Sequence, residues 1–459
     1  MRSNSESKDL PSVADELGRF VVDFPTSGIP DRALEYAEML LASTIASAAA
    51  GSRLPSSRII KEIEVERGGR QESTIWFGAA GKLPMAAAAR VNALASDAAA
   101  SDDSDLRNIV HQGTTACATA LAAGERVGAS GADILSAVVL GYEAAGHIST
   151  AMQCGFRNKG FHGCIVAAFA STAAAARLLK LTAAQTTHAI SLTATSIGGL
   201  GAVADTSLAR EYHAGQAALC GIQAVQAAIR GYTADERALE MPGGYFDAFG
   251  EQADSAAIGR DLGERWNILE NLGIKLIPGG HPHHAVAQAA AQAAIEGSVD
   301  PAYVEAIDIS RPGFQRYANT AFPTDLIGMA HSAMFFAAAG VADREFTWTH
   351  ASDAKIMDPV IRGLLGKVRV VGPPTEDLER FLSGAVVTIH MADGRSYTAT
   401  VYAPKGAAAQ GIAWEDVEEK YRVLVPNAMR SPACVESGLH VIRNFRQARS
   451  VSELTGLLR

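Results

Sequence analysis

The sequence predicts a mainly α protein: a large all-helical domain formed by both chain ends, plus a smaller α+β domain. Three observations carry this. Alanine makes up 63 of the first 300 residues but only 23 of the last 159, and alanine favours helices that pack closely. Near Asn271 the texture changes from apolar helical runs to short alternating segments. An Asp393-Gly394 pair then sits between two stretches of alternating β-branched residues, which signals a hairpin. The boundaries read 1–273 for the helical domain, with 406–459 returning to it, and 274–405 for the smaller one.

In order, helices are expected over Arg32–Ala50, Pro84–Ala99, Gly113–Ala123, Gly131–Thr150, Gly163–Leu179 and Thr182–Ala194. Thr182 and Gln185 form a capping box, and Ser130-Gly131 marks another start. These helices are apolar nearly all round, so they are buried on more than one face. Lys275–Pro278 reads as short and extended, Ala285–Ile295 as a helix, and Val304–Ser310 as a half-buried strand. Helices follow over Asp325–Ala339 and Asp358–Val368, the second running into a strand through Val371. Ala385–Met391 and Arg395–Tyr402 flank the Asp-Gly turn. The tail carries helices over Trp414–Leu424 and Pro432–Arg449, with Ser431 as N-cap and Pro432 at the first helical position.

Composition removes several functional classes. The 459 residues are 48% apolar and 19% charged, as in folded globular chains. A net charge of −9 without a basic tract argues against nucleic-acid binding. No stretch supplies about 20 apolar residues, so no membrane span is expected. The N-terminal segment lacks the apolar core of a secretory signal. The five cysteines form no Cys-x-x-Cys pair, which speaks against a disulfide framework, a structural zinc or an iron–sulfur cluster and for reduced thiols in a cytoplasm.

No nucleophile elbow, P-loop, His-Glu-x-x-His or EF-hand motif is present. Ser196-Ile-Gly-Gly-Leu-Gly201 follows no strand and reads as an inter-helix loop that lets another backbone approach. Four polar clusters interrupt the apolar helices. Ser101–His111 gathers Asp102, Asp103, Asp105, Arg107 and His111, as a capping surface loop or as a loop placing carboxylates and His111 at a cleft. Arg157–Gly163 sets His162 at a helix N-terminus, which lowers an imidazole pKa and suits a neutral base. Asp205–Gly215 holds Arg210 and His213, able to clamp a carboxylate or to form a structural ion pair. Ile274–His284 presents Lys275, His281, His283 and His284 at the domain junction, where ligand sites are common. Zinc on those three histidines lacks a completing carboxylate or Cys at a known spacing.

At these residues the chain resembles the MmgE/PrpD family. The Asp-Asp-Ser loop before His111, Gly160-Phe-His162-Gly, Tyr212-His213-Ala-Gly215, Lys275…Pro278…His281, Arg311-Pro312-Gly-Phe and Asp393-Gly394 recur in order over nearly the whole chain. The resemblance implies a helical domain with an α+β lid, a homodimer, and metal-free, cofactor-independent chemistry beside a carboxylate of a small di- or tricarboxylate. It implies catalytic roles for His162, Lys275, His281, His111 and Asp102, and substrate binding by Asp103, Ser104, Arg210 and Tyr317. There are departures. The lead-in Asp97–Ser101 lacks the family's His and Phe, Gly163 replaces a Pro, Arg210 stands for a Lys, and His281 is shifted by one residue. The activity implied is a 2-methylcitrate dehydratase-like hydro-lyase. Epimerisation or decarboxylation through the same enediolate is the alternative, and a non-catalytic carboxylate-binding homologue a further one.

Overall fold

The computed structural model describes residues 11–78, 81–153, 155–312 and 321–459. The fold is mainly α with a small sheet region. Alanine and glycine set the packing. The helix Ala209–Ala228 crosses Cys164–Leu178, and a Cβ on Gly221 would lie 2.6 Å from Ser171 Oγ and from the Thr172 amide nitrogen. Only a residue without a side chain permits that approach. Hydroxyls of Cys164–Leu178 also pair with those of two other helices: Ser171 with Thr119 of Gln112–Val127 at 2.8 Å, and Thr172 with Thr193 of Ala183–Ser196 at 2.7 Å. Pairing of this kind removes the cost of burying them.

Most expected helices form within a residue or two. They include Asp31–Gly51, Met85–Ala98, Gly131–Met152 and Ala183–Ser196, and the boxes at Ser130 and Thr182 both close. Val13–Asp23 and Pro55–Arg67 add two helices not read from the sequence. One apolar core draws on residues 13–274 and again on 408–458. A second is built from residues 285–399, around a four-stranded sheet in which Val368–Val370 runs parallel to Val304–Ser310. Ala385–Met391 and Ser396–Val401 continue that sheet antiparallel. Buried and half-buried residues alternate along Ala385–Met391, as a one-sided strand requires.

Four expectations are corrected. Asp325–Ala339 is two helices, Leu326–Ala330 and Ala333–Asp343, because Ser332 accepts the Phe335 amide and starts a new one. The last long helix stops at Arg443, and the turn after it seats Phe445 in the first core. The extended segment near Lys275 is Leu272–Ile274, just before it. Asp103–Asp105, read as part of a loop, is its antiparallel partner strand. Among the described residues no helix is long and apolar enough to cross a membrane.

Candidate active site

The site grows from that two-stranded pair. Asp103 lies opposite Ile274 and Asp105 opposite Leu272, so Asp102 and Lys275, one step beyond, face each other. Lys275 Nζ donates to Asp102 Oδ1 at 2.5 Å, and both side chains are shut off from solvent. Asp102 Oδ2 lies 2.9 Å from His111 Nδ1, which also contacts the Asp103 carbonyl oxygen at 2.6 Å. Burial would raise the Asp102 pKa, but His111 and Lys275 together hold it far below the carboxylate range. Burial likewise opposes the charged form of His111, yet Asp102 raises its pKa above the ordinary imidazole value. The imidazole of His111 therefore keeps its proton over a wider pH range than free histidine.

His162 precedes the helix Cys164–Leu178. Its Nδ1 accepts the Cys164 amide at 3.3 Å. Its ring centroid lies 6.2 Å from that of His111 and 5.1 Å from that of His213. Burial, aided by the positive charges of His111 and Arg157, pushes its pKa well below the ordinary value. His162 is accordingly the neutral imidazole of the pair. The glycine-rich segment holds it there: the His162 amide donates to the Gly199 carbonyl at 3.1 Å and the Gly201 amide to that of Gly160 at 2.8 Å.

The other sequence-derived residues divide. The Asp103 carboxylate accepts the amides of Gly113 and Thr114, at 2.9 and 2.8 Å, at the start of the helix Gln112–Val127. Burial and Asp102 raise its pKa to about 6. Ser104 sits beside it, opposite Gly273, with its hydroxyl buried and without a hydrogen-bond partner among the described residues. Arg210 Nη2 donates to the carbonyls of Asp97 and Ala98 at 2.9 and 3.2 Å, and its Nε lies 3.7 Å from Asp97 Oδ1. His281 is fully buried, packed against His284 and Gly273, and neither of its ring nitrogens has a hydrogen-bond partner among the described residues. Burial drives its pKa well down. Tyr317 lies outside the described residues.

Lys420 was missed. Its Nζ donates to Ser43 Oγ at 2.7 Å and to the Ser101 carbonyl, pinning the residue before Asp102. Burial lowers its pKa to about 7. A signal existed: on Trp414–Leu424 it occupies the buried stripe with Val417, Tyr421 and Leu424, where a charge needs a partner.

A cavity of about 840 Å³ adjoins the cluster. Gly160 and Phe161, just before His162, and Leu106 and Ile109, from the segment of Asp102 and His111, form part of its wall, with Arg157 and Arg311. Arg107 and Asp205 also line it, so the wall carries three arginines against one carboxylate, a balance that suits an anionic ligand.

The chain matches the model of the MmgE/PrpD N-terminal domain over residues 15–257 and that of the MmgE/PrpD C-terminal domain over residues 278–436. It is similar to the cis-aconitate decarboxylase of Homo sapiens, 26% identical over 464 residues, which cover 98% of this chain and 95% of that one. The cis-aconitate decarboxylase of Mus musculus is 26% identical over 402 residues, 84% of this chain and 81% of its own. The cis-aconitate decarboxylase-like protein oryM of Aspergillus oryzae is 24% identical over 480 residues, 99% and 98% of the two chains.

Proposed function

The chain belongs to the MmgE/PrpD family, and on that premise we propose that it is a lyase acting on a small di- or tricarboxylate. An unsaturated tricarboxylate of the cis-aconitate class is the first candidate, because similar proteins aligned over nearly the whole chain carry that name. The observation that carries the reading is the His111–His162 pair. Two adjacent imidazoles, His162 buried and His111 half-buried, have pKa values pushed in opposite directions, which divides them into acid and base.

In this reading the Arg-lined cavity admits the substrate. Lys275 keeps one donor on Asp102 and offers the others to a substrate carboxylate. As CO₂ leaves, the bonding electron pair passes into an enediolate that Lys275 stabilises. His111 then delivers a proton to carbon. In elimination of water His162 instead takes the proton beside the carboxylate and the β-hydroxyl departs. Both routes use the same charged intermediate, and the product separates them.

The test is NMR in D₂O with a panel of small di- and tricarboxylates that includes cis-aconitate. The expected result is deuterium incorporation beside a carboxylate, together with CO₂ or a changed alkene. Binding seen by thermal shift without exchange or product for any compound would replace the lyase with a carboxylate-binding protein.

A further inference from the structure

We propose that His162, Cys164 and His213 form a binding site for one cation of the zinc class, and that its occupation withdraws His162 from proton transfer. The second clause rests on the function proposed above; the first does not.

The three donors come from two helices that pack together. His162 and Cys164 bracket the start of Cys164–Leu178, and His213 lies in the first turns of Ala209–Ala228. One donor atom from each lies within 4.8 Å of the other two, and this is the one such trio among the described residues. The histidines of Ile274–His284 do not form one. Tetrahedral zinc with nitrogen and sulfur ligands holds donor atoms about 3.3–3.8 Å apart, so a contraction of about 1 Å closes the site. Side-chain rotation supplies that.

His213 Nδ1 is buried with no hydrogen-bond partner among the described residues. Cys164 Sγ donates to the Gly198 carbonyl at 3.5 Å. A Cβ on Gly199 would stand 2.5 Å from that sulfur and 3.3 Å from His213 Cε1, so glycine is what leaves room beside the donors. Asp97, both of whose carboxylate oxygens are buried without a hydrogen bond among the described residues, acts electrostatically on both Cys164 and His213. Its charge favours a cation there, offset in part by Arg210 at 3.7 Å. Binding would form one metal–sulfur and two metal–nitrogen bonds and release the thiol proton to solvent. Three protein ligands leave a fourth position open for water.

The experiment is a Co²⁺ titration of the full chain, stripped by chelator and free of substrate, followed by Zn²⁺ displacement. A thiolate-to-cobalt charge-transfer band saturating near one equivalent is expected. Cys164→Ser should abolish the band, and His213→Gln should weaken Zn²⁺ binding about 100-fold or more. Two variants, each checked by circular dichroism, protect against one failing to fold. Absence of the band, or Zn²⁺ binding equally tight in both variants, overturns the site. Zn²⁺ that fills the site yet leaves turnover unchanged overturns the inhibitory clause. The metal titration needs no substrate, so failure of the lyase reading leaves it legible.

Discussion

Two regions of this molecule are equally dry and differ in how they treat polar atoms. Where Cys164–Leu178 crosses its neighbours, the buried hydroxyls of Thr119, Ser171, Thr172 and Thr193 are all paired. A short distance away, Asp97, Ser104, His213 and His281 bury polar atoms without hydrogen bonds among the described residues, in the region of the Asp102–Lys275 ion pair. Burying such groups costs free energy that the helix crossing avoids. Among the described residues, unpaired buried hydroxyls occur elsewhere in the helical core too, at Thr44, Tyr142 and Ser191, but only at this seam do they gather with unpaired carboxylate and imidazole atoms that a ligand can complete. The crossing holds the shape and the seam holds the chemistry.

The strongest way to break this comparison is His162→Gln. If the reaction is an elimination, turnover should fall about 10²–10⁴-fold while the thermal midpoint stays close to wild type; near-normal kcat would remove His162 from the base role and favour decarboxylation, which needs only the His111 proton. The wild-type pH profile sharpens the same point. In elimination His162 must be neutral and its pKa is depressed, so the acid limb of kcat/KM should lie well below the ordinary imidazole value. His111 must be protonated and its pKa is raised, so the alkaline limb should lie above that value.

Lys275→Met should also abolish activity and, unlike His162→Gln, should destabilise the fold by up to about 3–5 kcal/mol, because it removes one of the two cationic partners of the buried Asp102 carboxylate and leaves His111 alone with it. Denaturant unfolding reads this, and an unchanged midpoint would mean that His111 suffices to hold the Asp102 charge. In the helix crossing, Gly221→Ala gains helix propensity of about 1 kcal/mol. It also drives a Cβ against the Thr172 backbone nitrogen, which cannot yield, so a net loss of about 1–2 kcal/mol is expected. Thr172→Val should cost the least, about 1 kcal/mol, since Thr193 keeps its bond to the Ala189 carbonyl. Both crossing variants should retain wild-type kcat, and a loss of kcat in either would erase the division drawn here.

Helix positions were legible because alanine runs, capping boxes and glycine breaks are local signals. His111, His162 and Lys275 were visible as polar interruptions of apolar sequence. The strand pair was not. Asp-Ser-Asp has poor strand propensity, and only its partner 169 residues on, Leu272–Ile274, makes Asp103–Asp105 extended. Arg210 was read as a carboxylate clamp or a structural ion pair, and its anchoring to the end of Met85–Ala98 depends on a helix crossing that no spacing reveals. Lys420 went unread because helix residues 300 positions from the loop carried no mark except a lysine in an apolar stripe.

The first core draws on residues 408–458 as well as 13–274, and this has a consequence for how the protein is made. On a ribosome, the second core is complete before the first can close. Lys420, which pins Ser101 next to Asp102, emerges after every other residue of the acid–base cluster. The nascent chain therefore carries an open, unfastened reaction centre until its last segments arrive, and the stretch that finishes the fold also finishes the site.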